Sequence, residues 1–124
     1  AQLCLSYVVA GIAKARGPLW RKGSAISEIS RTKSYGAPWV ARALAGRWRG
    51  LMACWFVVGF ETLFPLALIH WSAMLVFVAL GIVFHLGIAV TMGLNNFVWA
   101  FGAGYPGLIF IGHAFALARL PWIQ

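Results

Sequence analysis

The chain has 124 residues, of which 62% are hydrophobic and 10% charged, and its mean hydropathy is +0.85. Soluble domains run nearer half apolar and a quarter charged, so an ordinary water-soluble globule is excluded and lipid is the natural solvent for the excess. The net charge is +8, but nine of the ten basic residues fall between Lys14 and Arg49; charge confined to one stretch argues against a nucleic-acid-binding face and for contact with anionic lipid.

Residues 1–13, AQLCLSYVVAGIA, are apolar but shorter than the ~20 residues a bilayer crossing needs. They read as the second half of a spanning helix whose start is absent, so the chain is expected to be a fragment of a longer protein. Charge and helix breakers coincide at Lys14, Arg16, Gly17 and Pro18, where this helix should end.

Residues 14–50 read as a basic loop. Ser24 is placed to cap a short helix carrying Ile26, Glu28 and Ile29. Gly36 then breaks the chain, and Pro38 is suited to start a further helix. Over PWVARALAGRWR, Trp39, Val40, Ala43, Leu44 and Trp48 recur at helical spacing, with Arg42 and Arg49 on the other side. That is the pattern of a helix lying in the membrane interface, with an ordinary basic loop as the alternative.

Residues 51–70 form the first complete span and hold Glu61 and Pro65. Residues 72–92 form the second and hold His85, the two spans making a hairpin with His70 and Trp71 at the interface. Gly93, Asn95 and Asn96 make the next turn. Residues 97–118 form the third span, interrupted by GAGYPG at 102–107, which predicts a kink or a break. Arg119, Pro121 and Trp122 read as its interfacial end. Gly102, Gly104 and Gly107 fit GxGxxG, but no strand precedes them and Pro106 lies inside, so a dinucleotide loop is not predicted. Cys4 and Cys54 sit in apolar runs without metal-ligand spacing and read as small buried hydrophobes. The fold class is therefore all-α: an integral membrane helical bundle, a single multi-pass domain in the cell membrane. It would have about three full transmembrane helices, a truncated first one and an interfacial helix.

A carboxylate or imidazole in hydrocarbon is costly and usually faces the bundle interior with a partner. Of the four such groups inside the spans, Glu61 and His85 are the most informative, each with a purely structural hydrogen-bonding role as its alternative. Counted along the helices, His85 lies roughly 12 Å and Glu61 roughly 15 Å below the face at which Lys14 ends the first helix. Lys14, Glu61 and His85 are thus expected to share one polar site. His70 and His113 fall nearer the other face. Gly81, His85 and Ala89 recur every four residues, a small stripe that would admit another helix closely.

The segment YVVAGIAKARGPLWRKGSAI carries Y-x-x-A-G-x-x-K followed by Trp and Gly, through Tyr7, Ala10, Gly11, Lys14, Trp20 and Gly23. It resembles the HTTM superfamily, the membrane domain of vitamin K-dependent γ-carboxylase and its bacterial relatives. Glu61 in the next apolar helix and FHLGIAVTMGLNNFVW around His85 resemble the same family, in the same order. The resemblance implies that Lys14 is a base acting on a reduced vitamin K-type quinone, and that His85 takes part in catalysis. It also implies a peptide or protein substrate at the membrane. A lysine base needs burial or a nearby cation to free its amine. The excess of Lys and Arg predicts residues 14–50 in the cytoplasm, whereas the carboxylase site faces the lumen. Two further functions stay open: a non-catalytic membrane component that binds a peptide or partner protein, of the toxin-maturation kind, and a proton-coupled carrier using Glu61 and His85. A carrier should show repeated halves with matching broken helices, and the sequence has one broken segment.

Overall fold

The computed structural model describes residues 2–34 and 36–118, and among these every regular element is helical. Arg119, Pro121 and Trp122, expected at the interfacial end of the last span, lie outside the described residues. Three helices are long and apolar enough to cross a membrane: Arg47–Leu68 and Trp71–Met92, of 22 residues each, and Asn95–Ala118, of 24. Large apolar side chains stand open on them, with Val90 81%, Trp99 76% and Phe110 75% exposed; such surface suits lipid and not water.

The described residues pack as two units, the first holding those up to Phe64 with Val90–Gly93, the second Pro65–Ala89 and 94–118. In the first, α1 (Gln2–Arg16) and α2 (Pro18–Lys22) meet at Gly17, which is extended and hands over to a proline at the first helical position. That is where proline's fixed φ and missing N–H cost nothing. Gly23 closes α2 in the left-handed region, at φ 79°. Its N–H donates to the Trp20 carbonyl and that of Ser24 to the Leu19 carbonyl, a Schellman closure that satisfies two end carbonyls.

Ser24 precedes α3 (Ala25–Ile29), but its hydroxyl caps nothing. Its N–H is already engaged in the α2 closure, and its backbone is held in the helical region, whereas a capping side chain needs extended backbone. The pattern over residues 38–49 is likewise split in two. α4 (Pro38–Ala43) stops, Gly46 is extended, and α5 (Arg47–Leu63) begins. Glycine at 50 makes this turn feasible: a Cβ there would lie 3.1 Å from the Leu44 carbonyl oxygen and overlap that of Gly23. Trp48 and Arg49 therefore belong to the spanning helix and not to α4.

After Leu63 the chain tightens into a 3-10 helix, Phe64–Leu68. Pro65 is the cause. It has no N–H for the Glu61 carbonyl four residues back, and its ring crowds that position. The Phe64 N–H donates to the Glu61 carbonyl instead, the shorter three-residue closure.

The second unit is built on α6 (Trp71–Met92), as far as Ala89, and on α7 (Asn95–Ala118); Gly93, between the two helices, has φ 68°. α6 buries Met74, Val78, Gly81 and His85, and α7 buries Tyr105, Leu108 and Gly112. Both stripes follow the alternating three- and four-residue steps of a coiled-coil seam. Met74 lies where a Cβ on Gly112 would be, Trp71 meets His113 edge-on, and His85 stacks on Phe101. One antiparallel register satisfies these contacts and sets Val78 level with Leu108 and Gly81 level with Tyr105. GAGYPG neither breaks nor ends α7, which runs through Pro106 as one helix.

Candidate functional site

One face of α1 carries Cys4, Tyr7, Gly11 and Lys14, at the three- and four-residue steps that align side chains on a helix. This face packs on α5. Tyr7 is 1% exposed and stacks on Phe64 with ring centroids 3.9 Å apart, while Phe60 meets it edge-on at 5.5 Å. One turn along, α1 presents no side chain at all. A Cβ on Gly11 would stand 2.7 Å from the Thr62 nitrogen and 3.1 Å from the Glu61 carbonyl carbon. The two backbones therefore approach as closely as only glycine allows.

That approach brings Lys14 onto Glu61. The Lys14 ammonium donates to both carboxylate oxygens, Nζ lying 2.9 Å from Oε1 and 2.7 Å from Oε2. The Glu61 side chain is 6% exposed and that of Lys14 25%. A molecule reaching the pair from outside meets Nζ before it meets the carboxylate. Trp20, folded back by the Gly17–Pro18 turn, sets its ring 5.5 Å from Nζ, within cation–π range. Next to the pair, the Thr62 hydroxyl is buried with no hydrogen-bond partner among the described residues.

Two of the three expected site residues thus meet as an ion pair. His85 belongs to the second unit and has its own surroundings: it is buried, stacks on Phe101 at 4.2 Å and on Phe97 at 6.3 Å, and has Phe84 edge-on. His70 is exposed, its Nδ1 2.8 Å from the Ser72 hydroxyl. Cys4 and Cys54 are buried thiols. Among the described residues no cluster of His, Cys, Asp and Glu could hold a metal ion.

Of the residues of the Y-x-x-A-G-x-x-K segment and the Trp and Gly after it, all but Ala10 make contacts that the structure describes. Tyr7, Gly11 and Lys14 form the α1 face against α5, Trp20 covers the ammonium, and Gly23 lies against the Gly50–Leu51 backbone. Thr62 and the covering role of Trp20 were not read from the sequence. The only signal for Thr62 is its place beside Glu61, and for Trp20 the Gly-Pro turn just before it.

Among the described residues, fold and site together define an all-helical arrangement with three helices of spanning length and a lysine–glutamate pair closed beneath a tryptophan. Compared with protein-family models, characterised proteins and solved structures, the chain matches none.

Proposed function

We propose that this chain is membrane domain, in whole or part, of an HTTM-type multi-pass protein of the cell membrane, in which Lys14 acts as the base toward a lipid-soluble quinol. The observation that carries the reading is the two-pronged contact between Lys14 and a glutamate inside a segment of spanning length. A lysine can accept a proton only after giving one up, and the Glu61 carboxylate, 2.7 Å from Nζ, is an acceptor within direct reach. Moving that proton leaves a neutral amine beside a neutral acid, which removes two charges from lipid. The amine then takes the hydroxyl proton of the quinol, giving ammonium and quinolate, while Glu61 keeps the first proton. Trp20 offers a π face to the ammonium that forms. Peptide or protein substrate enters this reading through the family resemblance. His85 carries no step in it.

Vitamin K1 hydroquinone is the probe. Quinolate reacts with oxygen faster than quinol, so proteoliposomes holding the wild-type chain should speed the oxygen-dependent conversion of hydroquinone to quinone above protein-free liposomes. Lys14→Arg keeps the charge but cannot yield its proton near neutral pH. It should lose the acceleration by about 10²-fold or more, the usual contribution of a general base, with helicity and thermal midpoint unchanged. Wild-type protein no faster than empty liposomes would overturn the quinol reading.

A second reading rests on the closeness of Gly11 to Thr62: the pair is a clamp that holds α1 to α5 in a non-catalytic membrane component. There Lys14→Arg is tolerated, and Glu61→Gln lowers the yield of folded protein instead.

A further inference from the structure

The two acidic residues of the chain are both engaged within it. Glu61 takes Lys14, and Glu28 lies 3.6 Å from Arg31. Among the described residues no other cation is paired with an acidic side chain, and the fold gathers five of them. Three stretches of chain converge on Gly50: the end of α2 through Gly23, the end of α4 through Leu44, and the first turn of α5 itself. Arg21 and Lys22 come from the first, Arg42 from the second, Arg47 and Arg49 from the third, and all five are exposed.

The first turn of α5 makes the imbalance sharper. A helix start carries a partial positive charge and favours acids, yet this one holds two arginines, no acid and no side-chain cap. Such an arrangement is unfavourable in water. It becomes favourable against a layer of fixed negative charge. The layer must also accept Trp48, which is 72% exposed between the two arginines, and indole prefers the headgroup region of a bilayer. Because Arg47 opens a helix of spanning length, the cluster sits where the headgroups would be.

We infer that the cations around Gly50 form a binding surface for anionic phospholipid headgroups. This rests on the spanning reading of α5 and not on the chemistry of Lys14. Phosphate oxygens supply the acceptors that the chain lacks, arginine engages them two at a time, and acyl chains continue along the apolar flank of α5.

The test uses the full chain in nanodiscs of phosphatidylcholine, with and without phosphatidylglycerol, and counts retained lipids by native mass spectrometry. Phosphatidylglycerol should be retained in preference, and the preference should fall as salt rises. Each cation near an anionic surface is worth a factor of about five, so Arg47→Gln with Arg49→Gln together should cut the preference about twenty-five-fold. Lys33→Gln, an exposed cation outside the cluster, should leave it nearly unchanged. Circular dichroism checks that the variants are folded. Equal retention of both lipids overturns the inference, as does a preference that survives the double substitution. Displacement of phosphatidylglycerol by polyglutamate or single-stranded RNA would assign the surface to a soluble polyanion and overturn it too. Recovery of the folded chain without detergent is a different failure, that of the spanning reading itself.

Discussion

Gly11 and Gly59 are both glycines within helices, and their surroundings set them opposite tasks. A Cβ on Gly11 would collide with the backbone of Thr62, whereas one on Gly59 meets nothing within 4 Å. Gly11→Ala should therefore destabilise the chain by about 1–3 kcal/mol, since backbone cannot give way as a side-chain tip can. Gly59→Ala should stabilise by up to about 1 kcal/mol through helix propensity alone. Thermal unfolding in one detergent compares the two, and a stabilising Gly11→Ala would refute the close approach of α1 to α5. That Glu61 wants a partner was legible in the sequence, because a carboxylate in an apolar run is costly alone. Depth counting matched Glu61 with His85 and set both well below Lys14; only the expectation of one shared polar site brought Lys14 in, and its direct contact with Glu61 closes the depth that counting had left between them. Gly11 as the point of contact was visible only as a motif letter, since its meaning depends on a backbone 50 residues away in sequence.

At the scale of elements, apolar length located the three long helices to within a few residues, because lipid demands about 20 apolar residues and leaves few ways to supply them. Local signals fared unevenly where two of them competed. Ser24 had the chemistry of a cap, yet the Gly23 closure took its backbone first. Helical spacing ran from Trp39 to Trp48, but periodicity is blind to a turn inserted midway, and the chain turns at Gly46. The glycines and proline of residues 102–107 signalled a kink or a break, and of the two the break is not made; an internal proline costs one backbone bond, which helices in lipid tolerate. The α6–α7 register can be tested directly. With Cys4 and Cys54 replaced by alanine, Val78→Cys with Leu108→Cys should be joined within one chain by a short bis-maleimide. Val83→Cys, on an exposed face of α6, should not join to Leu108→Cys. The reverse result would refute the register.

For the molecule as a whole, charge segregation predicts topology. Lys33 lies among the basic residues and is exposed, so Lys33→Cys, in a background without Cys4 and Cys54, should react with an impermeant maleimide only after cells are opened, as the excess of Lys and Arg requires. Labelling in intact cells would put residues 14–50 outside and favour the lumenal orientation that the carboxylase resemblance implies. Pro65 bears on a quantity of the same scale. A 3-10 helix rises about 2.0 Å per residue against about 1.5 Å for an α-helix. From Gly50 to Leu68, past Arg49, the chain therefore reaches about 31 Å, where an unbroken α-helix would reach about 28.5 Å. The hydrocarbon layer is about 30 Å thick. By drawing five residues into a tighter helix with a longer rise, one proline brings a slightly short segment up to a length that matches the hydrocarbon layer.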